Sequence, residues 1–90
     1  MAWKISLSPS AKRNIDKLDI QIGRRILKFL HERISPLEDP RSMGDALTGP
    51  QLGSYWCYRV GDYRILCEIQ DNTLFILVVE VGHRREVYQN

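Results

Sequence analysis

Three runs of strand-forming residues in the second half of the chain, separated by two short turns, limit the fold more than any other feature of the sequence. The runs cover residues 54–60, 63–70 and 73–82. Gly61-Asp62 separates the first two runs, and Asp71-Asn72 separates the last two. Two-residue turns join neighbouring antiparallel strands. The last run is apolar almost throughout, as is typical of a central strand covered on both faces, so we predict a three-stranded antiparallel meander.

The first turn also determines which residues pair across the hairpin. A two-residue loop at this position places Val60 opposite Tyr63 and Arg59 opposite Arg64. Like charges directly opposite each other on one face of a sheet are destabilising. The two arginines therefore either both reach into water or face an anion that binds between them.

The N-terminal third of the chain predicts one strand followed by two helices. Trp3, Ile5 and Leu7 alternate with polar residues, which is typical of a half-buried strand. Ser8-Pro9 has the form of a helix N-cap followed by proline at the first helical position, and Asp19 can cap a second helix. Apolar residues continue both helices at helical spacing. They are Ala11, Ile15 and Leu18 in the first helix, and Ile22, Ile26, Phe29, Leu30 and Ile34 in the second.

The order of these elements, β-α-α-β-β-β, predicts an α+β fold in a single domain over residues 1–90. We expect an N-terminal strand, an α-helical hairpin and a three-stranded antiparallel meander that form one twisted sheet with the helices on one face. The proline- and glycine-punctuated segment 35–53 is expected to be an irregular connection that frames a site. Alternation assigns Trp56, Tyr58, Ile65, Cys67, Ile69, Ile76 and Val78 to the helix-covered face. It assigns Arg59, Arg64, Phe75, Leu77 and Val79 to the opposite face.

Basic residues are concentrated in the first third of the chain. The whole sequence has a net charge of +2, but residues 1–34 carry eight Lys or Arg and three Asp or Glu, which gives +5. Arg24, Arg25 and Lys28 fall on the outer face of the second predicted helix. Such a basic surface favours an anionic partner, nucleic acid being the commonest. A solvated helix face is the alternative interpretation.

Cysteine usage and hydropathy indicate an intracellular protein without a metal centre. Cys57 is predicted to pair with Leu66, so Cys57 and Cys67 lie on opposite faces of the sheet and do not form a disulfide. Their spacing matches no zinc pattern, and we expect no metal and no cofactor. No apolar run approaches the roughly 20 residues of a membrane span, and the N-terminus lacks the apolar core of a secretory signal. We therefore expect a cytoplasmic protein that does not bind membranes.

The C-terminal segment GHRREVY, residues 82–88, adds further basic groups to the paired arginines. If Asp71-Asn72 sets the register, Val79 lies beside Arg64 and the segment leaves the sheet near the first turn. This would bring together Arg59, Arg64, His83, Arg84, Arg85 and Tyr88. Clustered arginines recognise phosphate through bidentate hydrogen bonds, and tyrosine and histidine add proton-transfer capacity. The pattern predicts a phosphodiester ligand. Surface arginines and a packing tyrosine are the alternative.

Two motifs, RVGDYRILCEI and VGHRREVY, together with the initial AWKISLSPSAKRNIDKL, resemble the RelE/ParE superfamily of bacterial toxins. The resemblance covers nearly the whole chain. It implies the toxin of a type II toxin-antitoxin system with a cognate, RelB-like antitoxin that wraps around it. It also implies that the two proteins together bind operator DNA, mainly through the antitoxin.

The RelE branch of this superfamily implies a ribosome-dependent endoribonuclease that cleaves messenger RNA in the decoding site without a metal ion. By resemblance, Arg64 stabilises charge on the phosphate, Arg84 acts at the phosphate and the leaving group, and Tyr88 is the general base. His83 is an alternative base or a further cation. Arg59 and Arg85 are auxiliary cations, and Arg24, Arg25 and Lys28 are expected to contact ribosomal RNA.

The sequence departs from the RelE pattern in the strand before the hairpin. RelE toxins usually carry cations there, whereas this chain has Tyr55 and Cys57. The ParE branch has the same fold but inhibits DNA gyrase, and its members generally lack the terminal tyrosine. The presence of Arg64, Arg84 and Tyr88 favours RNA cleavage. Gyrase inhibition and a catalytically weak RNA-binding homologue are the alternatives.

Overall fold

The computed structural model describes residues 2–46 and 55–83 of the chain. The helices are α1 (Pro9–Lys17) and α2 (Ile20–Phe29), and α2 continues into a π-helical turn (Leu30–Ile34). The strands are β1 (Lys4–Leu7), β2 (Asp45–Ala46), β3 (Trp56–Val60), β4 (Tyr63–Gln70) and β5 (Phe75–His83). Short 3-10 turns cover Pro40–Ser42 and Asp71–Thr73. The predicted α+β fold, with a strand, a helical hairpin and a meander, is confirmed.

The strands form a single sheet in the order β1-β5-β4-β3-β2. β1 runs parallel to β5, and the other neighbours are antiparallel. The sheet therefore has one strand more than predicted, because β2 lies in the segment that was expected to be irregular. Asp45 of β2 pairs with Cys57 of β3, so Asp45–Ala46 of the connecting segment becomes an edge of the sheet.

Both helices begin at the predicted caps. The Oγ of Ser8 accepts a hydrogen bond from the Ala11 amide at 3.0 Å and donates one to the Val79 carbonyl at 2.7 Å, which ties the start of α1 to β5. The Asp19 carboxylate accepts from the Gln21 amide at 2.9 Å. Side-chain caps of this kind satisfy amide groups that have no partner within the helix.

The core lies between the two helices and one face of the sheet. Of the residues assigned to this face, Tyr58, Ile65, Cys67, Ile76 and Val78 are buried. Trp56 and Ile69 are half-buried and pack against the same cluster. Ala11, Ile26, Leu30 and Ile34 supply the buried helical side. The alternation of the sequence therefore identified the face that the helices cover.

The register of the β3–β4 hairpin agrees with the prediction, whereas the register of β4 and β5 does not. Arg59 lies opposite Arg64, as expected. Gln70, however, pairs with Phe75, because a 3-10 turn ending at Leu74 replaces the predicted two-residue loop. This moves the register by two residues, which leaves every side chain on the same face. The hydrophobic pattern of the sequence therefore cannot distinguish the two registers.

A β-bulge then shifts the pairing of β4 and β5 by one further residue. Leu66 pairs with Glu80 and Cys67 pairs with Val78, so Val79 is left as the extra residue. A bulge reverses the alternation beyond it. Val81 consequently enters the core, and its amide donates to Asn14 Oδ1 at 3.1 Å.

Gly82 lies beside Arg64 as a result of the bulge and the longer turn. The prediction that Val79 occupies that position is wrong. The sequence does not place the bulge, because Val79 and Val81 on either side of Glu80 both suit a regular strand.

The described part of the connecting segment is anchored to the sheet by side chains. Tyr58 donates its hydroxyl to the Pro40 carbonyl at 2.6 Å, and burial raises the pKa of that hydroxyl. Trp56 Nε1 donates to the Met43 carbonyl, also at 2.6 Å. Gly44 follows with φ of 82°. A Cβ at Gly44 would lie 2.5 Å from the Cys57 carbonyl oxygen, so only glycine fits this approach to β3.

Replacing Gly44 with alanine is expected to lower the free energy of unfolding by at least about 2 kcal/mol, because the left-handed backbone and the backbone contact both oppose a side chain. Gly61→Ala is the matched control. Gly61 also has positive φ, but the nearest atom to its Cβ would be 3.7 Å away, so the expected loss there is about 1 kcal/mol. Chemical denaturation measures both. Equal losses would show that the contact with β3 is unimportant.

A bidentate ion pair links the connecting segment to the β4–β5 turn. Arg41 Nη1 and Nη2 donate to the two carboxylate oxygens of Asp71 at 2.8 and 3.0 Å. These hydrogen bonds hold the pKa of the Asp71 carboxyl below its usual value. A depressed carboxyl pKa stabilises the fold above the unfolded-state pKa of about 3.9. That contribution is lost as the pH falls through the folded-state pKa.

We therefore expect the difference in unfolding free energy between the wild type and Asp71→Asn to be constant near neutral pH and to shrink below about pH 4. Urea denaturation across this range measures the difference. Asp16→Asn, a change at an exposed carboxylate of α1, is the control for a general effect of charge. A difference for Asp71→Asn that grows on acidification would contradict the assignment.

Candidate functional site

The sheet face turned away from the helices presents Arg59 and Arg64. Arg64 is half-buried in β4, with Arg59 of β3 on one side and Gly82 of β5 on the other. Because glycine has no side chain, β5 contributes only backbone at this position. Arg64 is thus held by paired strands on both sides.

Arg59 has a partner that the sequence analysis missed. Its Nη2 lies 3.1 Å from Oδ2 of Asp45, and the side chains are 61% and 62% exposed. Asp45 reaches Arg59 because β2 pairs with β3, whereas the sequence predicted no strand there. Exposed ion pairs contribute only about 0–1 kcal/mol. An incoming phosphate can therefore compete for Arg59 at little cost.

A small apolar cluster lies next to the two arginines on the same face. Cys57 and Leu66 are buried, and half-buried Tyr55 packs against them. Cys57 and Cys67 are not joined by a disulfide and are buried on opposite faces of the sheet, as predicted. The strand position at which the resemblance led us to expect a cation therefore holds the buried thiol of Cys57. An apolar neighbourhood lowers the local dielectric, which strengthens the interaction of an arginine with an anion.

His83 lies at the end of β5, and its side chain is on the helix-covered face of the sheet. It pairs with Tyr63, and the two rings meet edge to face with centroids 5.9 Å apart. Together with Asn14 and Lys17 of α1, they line a depression of about 310 Å³ on the helix side. The imidazole therefore does not lie on the sheet face that carries Arg59 and Arg64, although the preceding residue, Gly82, pairs with Arg64. Arg84, Arg85 and Tyr88 lie outside the described residues, and their convergence with Arg64 stays a prediction.

The basic residues of α2 are exposed, as predicted, but they divide between two surfaces. Arg25 and Lys28 line a cleft between α2 and the β3–β4 turn. Arg24 lines a separate depression of about 280 Å³ between α1 and α2, next to Ile20, whose side chain is 67% exposed. Helical spacing alone placed Arg24, Arg25 and Lys28 on one surface. In the tertiary structure Arg24 lines a different depression from the other two.

Neither a metal-ligand cluster nor a membrane-spanning helix is found in the described ranges. Within residues 2–46 and 55–83, no three His, Cys, Asp or Glu side chains gather closely enough to bind a metal ion. The helices of the same ranges are too short and too polar to cross a bilayer. The guanidinium groups of Arg59 and Arg64 suit a phosphate. The same face also carries the carboxylates of Asp45, which pairs with Cys57, and Glu80, which pairs with Leu66.

Comparison with known proteins identifies the family. Residues 5–88 match the family model described as the ParE toxin of the type II toxin-antitoxin system parDE. The chain is 26% identical over 89 residues to the toxin RelG of Mycobacterium tuberculosis (strain ATCC 25618 / H37Rv), covering 99% of both chains.

Solved structures of toxins share the fold. The toxin-antitoxin complex RelBE2 of Mycobacterium tuberculosis matches with a TM-score of 0.84 and 24% identity, covering 96% of this chain and 95% of the other. A mutant of the E. coli toxin RelE bound to a peptide of the antitoxin RelBc matches with a TM-score of 0.72 and 20% identity, covering 100% and 98%. The family match over residues 5–88, together with this fold, shows that the chain belongs to the ParE toxin family of type II toxin-antitoxin systems, within the RelE/ParE superfamily that its motifs indicated.

Proposed function

We propose that this toxin is a ribosome-dependent endoribonuclease that cleaves messenger RNA and so inhibits translation. The observation that carries the proposal is the position of Arg64. It is half-buried at the second position of β4, opposite a second arginine and beside a glycine, with a paired strand on each side. A rigid strand can hold a guanidinium group at a reacting phosphate more accurately than a loop can.

The reaction that fits such a site requires no external nucleophile. The ribose 2′-oxygen attacks its own 3′-phosphorus, the bond from phosphorus to the 5′-oxygen breaks, and a 2′,3′-cyclic phosphate and a 5′-hydroxyl result. One proton leaves the 2′-hydroxyl, and one is added to the departing 5′-oxygen. Arg64 stabilises the extra negative charge of the pentacoordinate phosphorus, and Arg59 supports it from the neighbouring strand.

Proton transfer falls to the C-terminal residues in this proposal. Tyr88 takes the proton of the 2′-hydroxyl, and Arg84 acts at the phosphate and leaving group, with Arg85 as a further cation. A free tyrosine has a pKa of about 10, but nearby arginines favour the phenolate. His83 is the alternative base. Its packing against Tyr63, on the other face of the sheet, favours Tyr88.

Inhibition of DNA gyrase is the second candidate. The family model that matches the chain is that of the ParE toxin. Cys57 is buried at a strand position where RelE toxins carry a cation, which removes one charge from the phosphate-binding face. A toxin that acts on gyrase needs no such charge.

A cognate antitoxin is the partner that the comparisons support. Both of the solved structures described above are complexes of a toxin with a RelB-type antitoxin or a peptide of one. We propose a RelB-like antitoxin for this chain, with operator DNA bound mainly through that antitoxin. The ribosome and its messenger RNA are the proposed targets of the released toxin.

Arg64→Ala is expected to reduce messenger RNA cleavage about 10²- to 10³-fold, because it removes a preorganised charge from the transition state. Induced expression in a bacterium, followed by primer extension on a translated message, measures the cuts. The wild type should cut at positions set by the codon frame. Arg13→Ala, at an exposed arginine of α1, removes the same charge and should leave the cuts unchanged. Growth arrest with intact messages and impaired DNA supercoiling would sink the proposal and favour gyrase.

A further inference from the structure

A cleft of about 410 Å³ lies between α2 and the β3–β4 turn, and four cationic side chains line it. Arg25, Lys28 and Arg33 come from α2 and its π-helical continuation, and Arg59 comes from β3. The cleft therefore joins two segments of the chain whose charges the sequence analysis had treated separately. Arg33 is one of the eight basic residues of the first third, but it was not among the three assigned to the outer face of the second helix.

Helical spacing explains why one side of the cleft is basic. Successive turns of the helix supply the lining residues: Arg25 first, then Lys28 and Phe29, then Glu32 and Arg33. They therefore form one stripe along the helix. The π-helical turn keeps Leu30 and Ile34 buried in the core, while Arg33 stays exposed. The hairpin turn closes the other side, since a Cβ on Gly61 would lie 3.7 Å from Arg25 Nη1.

The charges that line the cleft are not balanced. Glu32 is the one carboxylate among the described residues that line the cleft. Asp45 engages Arg59 in an exposed pair, and no ion pair involves Arg25, Lys28 or Arg33 within the ranges that the structure describes. An excess of cations in a concave surface raises the local concentration of anions.

The floor of the cleft is apolar. Half-buried Phe29 and buried Val60 line it between the cations. Nucleic acid strands are bound by grooves that combine cations for the backbone with aromatic side chains for sugars and bases. Arg59 also lies opposite Arg64, so the cleft is continuous with the candidate site around the edge of the sheet.

We propose that this cleft binds the phosphate backbone of single-stranded RNA next to the phosphate held at Arg64. The choice of RNA as ligand rests on the proposed function, whereas the charge and shape of the cleft do not. Arg25, Lys28, Arg33 and Arg59 hold phosphates, and Phe29 contacts a sugar or base. Arg24 takes no part, because it lines the depression on the other side of α2.

Binding of a short, fluorescently labelled 2′-O-methyl RNA to the purified full chain tests this proposal. The methyl group blocks the 2′-oxygen, so binding is measured without cleavage. Fluorescence anisotropy at several salt concentrations gives the slope of log affinity against log salt, which is about −0.7 for each phosphate contact on a single strand. Lys28→Gln with Arg33→Gln should reduce the magnitude of the slope by about 1.4, which corresponds to roughly 25-fold weaker binding at about 0.1 M salt.

The matched control is Lys12→Gln with Arg13→Gln, which removes the same charge from the exposed surface of α1. This pair should leave the slope nearly unchanged. An equal loss in both double variants, or no loss in the cleft variant, would overturn the proposal. It would also be overturned if the cleft variant weakened binding of a poly-glutamate peptide but not of the RNA, since the cleft would then be a site for an acidic protein segment.

The experiments distinguish failure of the proposed RNA cleavage from failure of the proposed RNA binding in the cleft. If the toxin does not cut messages, primer extension shows intact RNA, while the slope still separates the cleft variant from its control. If the cleft does not bind RNA, cleavage still depends on Arg64, but the two double variants bind alike.

Discussion

The pairing of β4 with β5 is the constraint on which the rest of this structure depends. The apolar side chains of both strands must face the helices. Two registers that differ by two residues satisfy this requirement equally well. The 3-10 turn before Leu74 selects one of them, and the bulge at Val79 moves the pairing once more. Together they bury Val81, place Gly82 beside Arg64 and turn His83 towards Tyr63. The composition of the arginine face therefore follows from packing on the opposite side of the sheet.

The same packing distributes the cationic side chains over two surfaces of the protein. Arg64 is half-buried beside an apolar cluster on one face, whereas Arg25, Lys28 and Arg33 line a cleft on the helix side. Arg59, near the edge of the sheet, belongs to both. Its ion pair with Asp45 is exposed on both sides, so the pair restrains the side chain without removing its charge from an approaching anion. A phosphate backbone is a ligand that could use both surfaces together.

A single fold can support several unrelated functions, so the fold alone does not assign the activity. The arrangement around Arg64 suits phosphate chemistry, and the basic cleft suits an extended polyanion. Cys57 is buried, and a lysine at this strand position would have to bury its ammonium group at high cost. The cations available for the proposed phosphate ligand are therefore Arg59, Arg64 and those of the cleft.

The sequence by itself determined the class of fold, the helix caps, the helix-covered face and the pairing of Arg59 with Arg64, because local spacing and turn chemistry control each of these. Motif resemblance indicated the family. Only the tertiary structure decided that Gly82 lies beside Arg64, that Asp45 reaches Arg59 and that Arg33 joins Arg25 while Arg24 does not. These relations depend on a bulge, on a two-residue edge strand and on the approach of a hairpin to a helix. Each joins residues distant in the chain through packing, which local sequence patterns do not encode.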